Sequence, residues 1–168
     1  MNYFAHLFET PIGTLLSVVN IDNALALLSF CPNQKQAELL LSKEFGEACV
    51  VWDTGRSALV ETQIGEYFRG ERQTFTLPLH AKGTEFQHRV WDALVSLPYG
   101  ETTTYGRLAA LLGNSNASRA VGGANAANPI AIVVPCHRVI GAKGNLTGYA
   151  FGLSRKKQLL ELERKHVS

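Results

Sequence analysis

The sequence predicts an α/β unit over residues 1–83 followed by a mainly helical unit over residues 84–168, and three observations carry that division. The first part opens on strand-like apolar runs separated by turn dipeptides, whereas helical spacing dominates after residue 84. A Lys82-Gly83 break stands where one pattern gives way to the other. The charge changes sign at the same place. Six Lys and Arg stand against nine Asp and Glu before it, a net of −3, and ten stand against five after it, a net of +5.

Three short strands are expected first. Tyr3 to Phe8 runs to the Pro11-Ile12-Gly13 turn, Thr14 to Val19 to the Asp22-Asn23 turn, and Ala24 to Phe30 completes a β-meander. Gln34 to Phe45, with Ala37, Leu40 and Leu41 on one side, reads as a helix. So does Ala58 to Phe68, where Val60, Ile64, Tyr67 and Phe68 recur at helical spacing. An apolar strand around Val50 to Trp52 lies between them, and Gln73 to Leu79 reads as the last strand of the unit.

Beyond the break, Thr84 and Gln87 form a capping-box pair ahead of Phe86, Val90, Trp91 and Leu94, which predicts a helix from about 85 to 97. Pro98-Tyr99-Gly100 stops it. Thr104 then caps a helix bearing Tyr105, Leu108, Ala109 and Leu112, which ends at Gly113. Asn114 or Ser115 is expected to cap a third, running through Arg119, Val121 and Ala124. Two short helices joined by a tight turn match the helix-turn-helix pattern, in which the second helix is presented to DNA. Gly122-Gly123 inside that helix costs roughly 1 kcal/mol per glycine relative to alanine, so either another part of the chain or DNA should approach closely there. Around them Ala117, Ser118, Ala120, Ala124, Ala126 and Ala127 are small as well, and Arg119 is the one long cation on a slim helix.

Composition narrows the function. A chain of 168 residues with 46% hydrophobic and 18% charged residues is ordinary for a globular protein. Its longest apolar run, Pro129 to Pro135, falls far short of the roughly 20 residues a membrane helix needs, and Met1-Asn2-Tyr3-Phe4-Ala5-His6 lacks the layout of an export signal. A cytosol of bacterial or archaeal type is the expected location. Three cysteines, Cys31, Cys49 and Cys136, without a Cys-x-x-Cys pair argue against a disulfide scaffold and a thiolate zinc site. His6, Cys31, Cys49 and His80 show no metal-ligand spacing, so neither metal nor cofactor is expected. The basic second half is the footprint of a surface that meets phosphates, although a solvated lysine-rich helix at 155–165 supplies part of that charge.

The candidate chemistry lies in Ile130-Ala131-Ile132-Val133-Val134-Pro135-Cys136-His137-Arg138-Val139-Ile140. A lone cysteine in an apolar run is ordinarily an inert core residue. Here Pro135 should end a central strand just before the thiol, and polar His137 and Arg138 follow at once, where a purely structural segment would stay apolar. Asn128-Pro129 marks a sharp exit from the third helix.

Pro135-Cys136-His137-Arg138, preceded by Arg119-Ala120-Val121-Gly122-Gly123-Ala124 and Asn128-Pro129, closely resembles the O6-alkylguanine-DNA alkyltransferases, also called methylated-DNA–protein-cysteine methyltransferases. The motifs keep the family's order and spacing from about Phe86 to Glu163, while the first half fits the family's α/β domain, of ribonuclease-H-like shape, in outline. The resemblance implies single-turnover DNA repair, in which Cys136 accepts an alkyl group from O6 of guanine or O4 of thymine. It makes His137 the base, reaching Cys136 through a water, and Glu163 the holder of the imidazole. Asn128 then links the recognition helix to the active site, and Tyr105 approaches guanine N3 and the phosphate.

By the same resemblance Arg119 is the finger that fills the gap left by an extruded base, with Ser118, Ala120 and Tyr105 also at the DNA. Leu146-Thr147-Gly148-Tyr149 should form a lid over the base, with Thr147 and the Val139 backbone facing it, and the Gly141-Ala142-Lys143-Gly144 turn suggests a wing of winged-helix type. The implied partner is double-stranded DNA containing O6-alkylguanine, met by a monomer. Ala131 stands where some relatives have proline, which suggests a less constricted pocket. Arg138 is read as an ion-pair partner. A Cys-His hydrolase would need an opposed histidine and an oxyanion hole, and a damage-binding relative without transfer activity would lack Cys136.

Overall fold

Alternating apolar residues in the first thirty positions build three antiparallel strands, β1 (Asn2–Thr10), β2 (Gly13–Asn20) and β3 (Leu25–Phe30). The computed structural model describes residues 2–167. It divides into two units, one ending at Lys82 and the other beginning at Gly83. In the first unit β4 (Cys49–Trp52) joins parallel to β1, giving the sheet order β3-β2-β1-β4. Helix α1 (Gln34–Phe45) starts where the Asn33 side chain accepts from Gln36 N at 2.9 Å. Its Ala37, Leu41 and Phe45 pack on Tyr3, Ala5, Leu16 and Val18. Successive strand side chains point to opposite faces. His6 therefore lies on the other face from Tyr3 and Ala5, where it meets Glu61 of α2 (Ala58–Phe68) at 2.6 Å. One helix covers each face of the sheet.

The strand expected over Gln73–Leu79 does not form. Its contact with the sheet is a single bridge, Leu25 to Leu79, held by Leu25 N donating to Pro78 O and His80 N to Leu25 O, both at 2.7 Å. Pro78 has no N–H with which to continue a ladder. Upstream, Gln63 of α2 draws Thr76 away by two hydrogen bonds, at 2.6 and 3.0 Å.

The second unit holds α3 (Glu85–Val95), α4 (Tyr105–Leu111), α5 (Ser118–Ala126) and α6 (Leu153–His166), with a two-stranded parallel pair, β5 (Thr103–Thr104) and β6 (Val139–Ile140). The chain is thus a mixed α/β fold with a four-stranded sheet and six α-helices among its described residues. No helix among these residues is long and apolar enough to cross a membrane. The capping box of Thr84 and Gln87 is present in full, and Thr104 caps α4 by accepting from Arg107 N at 3.1 Å. Gly113, at φ +86°, supplies the left-handed residue that ends the turn after α4.

The cap expected from Asn114 or Ser115 is absent. Asn114 instead accepts from Asn116 N through its side chain, and α5 starts after Ala117 without a side-chain cap. An Asx-type turn has taken the asparagine that the helix could have used. Trp91 of α3 pins the other end of α5 by donating from Nε1 to Ala124 O at 2.8 Å. The paired glycines of α5 differ. A Cβ on Gly122 would meet the Tyr105 ring at 3.8 Å, whereas one on Gly123 would meet nothing within 4 Å.

Candidate active site

Between the end of α5 and Cys136 the chain makes no strand, contrary to the extended segment expected from its apolar run. Ile130 to Pro135 is buried yet folded into turns, with Val133 N donating to Ala131 O at 2.7 Å and Val134 N to Ile130 O at 3.1 Å. Ile132 sits at φ +69°, a region that costs a β-branched residue of order 1–3 kcal/mol. Asn128 supports this path as a backbone substitute. Its Nδ2 donates to Ile130 O and Val134 O at 3.2 and 2.8 Å, and its Oδ1 accepts from Ile130 N at 3.0 Å. Without it Val134 O and Ile130 N would lose these partners in the interior, at about 1–3 kcal/mol each, while Ile130 O would keep Val134 N.

Cys136–Arg138 then forms one 3-10 turn, from which His137 and Arg138 both reach Glu163. His137 Nε2 lies 2.7 Å from Glu163 Oε2 on α6. Arg138 grips the same carboxylate through Nε at 2.8 Å and Nη2 at 3.1 Å, and its Nη1 donates to Leu97 O at 2.8 Å. Burial alone would raise the Glu163 pKa, but the hydrogen bonds and charge of His137 and Arg138 outweigh it and hold it at about 2. Burial pushes His137 below its ordinary range. The imidazole is therefore neutral beside an ionised carboxylate, and since a carboxylate only accepts, Nε2 carries the proton. Nδ1 is left as an unprotonated acceptor that is buried and has no partner among the described residues.

Cys136 opens on a cavity of about 120 Å³ whose walls include Tyr105, Gly122, Asn125, Asn128, Gly148, Tyr149 and Phe151. Burial pushes its thiol pKa up, opposed by Asn128 and by the charge of Lys156. A larger cavity of about 350 Å³ lies in the first unit between the β1–β2 turn and α2, but its lining holds no cysteine. Chemistry favours the smaller one.

Tyr105, Asn128 and Cys136 share the small cavity, and His137, next to the thiol in the chain, is bonded to Glu163. Thr147 joins through its carbonyl, which accepts from Tyr105 Oη at 3.3 Å, and Val139 through its own, which accepts from Lys156 Nζ at 2.5 Å. Gly148 and Tyr149 of the expected lid line the cavity. Ser118, Arg119 and Ala120 do not; they form the first turn of α5, with Arg119 and Ala120 exposed.

Two buried residues escaped the sequence reading. Lys156 was assigned to a solvated lysine-rich helix, but its side chain is wholly buried and its Nζ donates to Val139 O, Thr147 O and Gly148 O, at 2.5, 2.6 and 3.3 Å. The signal was in the spacing, since Lys156, Leu159, Leu160 and Glu163 form one inward face of α6. Asn125, whose Nδ2 donates to Cys136 O at 3.3 Å, stood unnoticed among small residues.

A family model described as the DNA-binding domain of 6-O-methylguanine DNA methyltransferase matches residues 85–165. The methylated-DNA–protein-cysteine methyltransferase of Methanosarcina acetivorans is 47% identical over 163 residues, covering 96% of this chain and 97% of that protein. The chain belongs to this methyltransferase family. Among solved structures, the O6-methylguanine methyltransferase of Mycobacterium tuberculosis superposes with a TM-score of 0.84 at 40% identity, covering 99% of this chain and 95% of that one. A second structure from that organism, OGT in complex with DNA, gives the same TM-score at 41% identity, with 99% and 94% covered. The family match rests on both units, since the archaeal relative and the mycobacterial structures extend over nearly the whole chain.

Proposed function

We propose that this member of the family repairs DNA by direct reversal, moving an alkyl group from O6 of guanine onto Cys136 once and for good, with O4 of thymine as a second substrate. The observation that carries the reading is a buried thiol lining a small cavity and followed directly by a neutral histidine whose Nε2 is hydrogen-bonded to a buried carboxylate. In this reading the Cys136 proton passes through a water to His137 Nδ1. The thiolate sulfur then bonds to the alkyl carbon as the carbon–O6 bond breaks, and the electron pair stays with the base. Glu163 holds the imidazole and stabilises the cation it becomes. Asn128 positions Cys136, Tyr105 approaches guanine N3, and Thr147 with the Val139 backbone faces the base.

The partner is double-stranded DNA, met through the helix-turn-helix of α4 and α5. Ser118, Ala120 and Tyr105 contact it, and Arg119 occupies the space of an extruded nucleotide. The ribonuclease-H-like reading of the first unit, the winged-helix reading of the second, a monomeric state and a cytoplasmic location belong to the same proposal, as does the assignment of alkyl transfer to residues 84–168. Small cavity walls such as Gly122 support a lesion-sized guest.

The test is stoichiometry. Equimolar protein incubated with a duplex carrying O6-methylguanine should give a burst equal to the protein added, with one methyl on the peptide containing Cys136. Cys136→Ala should still bind the lesion and transfer nothing. Continued turnover, or a methyl on Cys31 or Cys49, would sink the proposal.

A further inference from the structure

A buried thiolate needs hydrogen-bond donors, because removing its charge from water is costly unless protein groups replace the lost solvation. The groups around Cys136 have mostly committed theirs. Asn128 acts on the thiol, but its Nδ2 also donates to Ile130 O and Val134 O. Lys156 Nζ donates to three carbonyls, and Tyr105 Oη to Thr147 O. Asn125 Nδ2 faces Cys136 O. Tyr149 is different. Its ring lines the same cavity as Cys136 and packs edge-on to Phe151 at 5.5 Å, and its hydroxyl is buried with no acceptor among the described residues. An orphaned buried hydroxyl is costly, so its place in the cavity of a nucleophile calls for a partner that exists in another state of the site.

We propose that the Tyr149 hydroxyl donates a hydrogen bond to the Cys136 sulfur once the thiol has lost its proton, and so holds the nucleophile in its reactive form. No bond is made or broken in this step: the thiol proton goes to His137, and the phenol keeps its own. The inference rests on the alkyl-transfer reading and names a further donor for that site. Burial and the facing Cys136 push the phenol well above its ordinary range, so it stays protonated and able to donate. The resulting thioether is a far weaker acceptor than the thiolate, so the hydroxyl is orphaned again after transfer.

The pH behaviour of the thiol also depends on Lys156 of α6, on His137 with Glu163 and Arg138 behind it, and on Arg155, whose charge acts on the phenol. Tyr149→Phe leaves all of these in place. The probe is iodoacetamide, with the Cys136 peptide followed by mass spectrometry so that exposed Cys49 does not confuse the reading. Across pH 5 to 10 the variant should show its inflection displaced upward by about one unit, roughly tenfold less thiolate at neutral pH, with the same plateau in alkali. An unmoved inflection overturns the proposal, and so does a lower plateau without a shift, which would mean that the ring shapes the cavity and nothing more. The melting temperature should be nearly unchanged, since the hydroxyl has no partner in the resting state; a large fall would place that partner elsewhere and also overturn it. Methyl transfer to Cys136 in both proteins, measured separately, keeps a failure here distinct from a failure of the function itself.

Discussion

Glu163 is the residue on which the site's electrostatics converge, since one carboxylate accepts from both His137 and Arg138 in the interior. Replacing it by Gln removes the anion that would steady an imidazolium and leaves Arg138 buried without a counter-charge. Single-turnover methyl transfer should slow by about 10²–10³-fold, while binding to lesion DNA changes little. Unfolding in urea should show a loss of about 3–5 kcal/mol at pH 7. Rates equal to those of the unmodified protein between pH 6 and 9 would remove Glu163 from the mechanism. The pH dependence has a definite sign. The folded pKa of Glu163, about 2, lies below its unfolded value of about 4.3. Its stabilisation is therefore complete above pH 4.3 and lost as pH falls towards 2. His137, pushed below its ordinary range, favours the unfolded state as acid protonates it below about 6.5, so both groups weaken the fold in acid. The Cys136, His137 and Arg138 triplet was legible in the sequence because polar residues interrupt an apolar run. Lys156 was not, because a lysine in a helix rich in lysine reads as solvated until the fold shows which face turns inward.

At the level of elements, local signals that had no competitor succeeded. The helices Gln34–Phe45 and Ala58–Phe68 were legible from spacing, and the Thr84–Gln87 capping box from a short motif. Expectations failed where a distant side chain or a tight turn intervened, as with Gln63 diverting Thr76 and Asn114 bonding Asn116. The apolar run before Cys136 was read as a strand because composition reports burial, whereas Asn128 and the positive φ of Ile132 fold it into turns. The glycine pair in α5 allows a direct test of whether small size is required along the whole helix. A Cβ at Gly123 meets nothing within 4 Å, so Gly123→Ala should stabilise the protein by about 0.5–1 kcal/mol through helix propensity and raise its melting temperature by a few degrees. If free O6-methylguanine is still consumed at the original rate while duplex repair falls, the open space at Gly123 is the DNA's. Equal repair of duplex and free base would assign Gly123 no role beyond its cost to the helix.

For the molecule as a whole, the net charges of −3 and +5 on the two halves imply that residues 84–168 carry the attraction for phosphates. Weaker binding with rising salt follows from that alone and would not distinguish a repair protein from any other basic surface. Arg119 offers a sharper test, because it is exposed on the first turn of a helix most of whose other residues are small, and it lies outside the thiol cavity. If it occupies the space an extruded guanine leaves, it stabilises a state that exists only in duplex DNA, where extrusion costs a few kcal/mol. Arg119→Ala should then slow methyl transfer from duplex O6-methylguanine by about tenfold or more. Part of that loss should return when the lesion stands opposite a destabilising mismatch, since less pairing must then be broken. Transfer from the free base, which needs no extrusion, should stay within about twofold of the unmodified protein. The comparison separates three roles in one set of rate measurements. A loss confined to the duplex and relieved by the mismatch identifies a group acting on the extruded state. A loss on the duplex that the mismatch does not relieve identifies an ordinary phosphate contact, and equal losses on both substrates would mean that Arg119 supports the pocket, which removes it from the DNA interface.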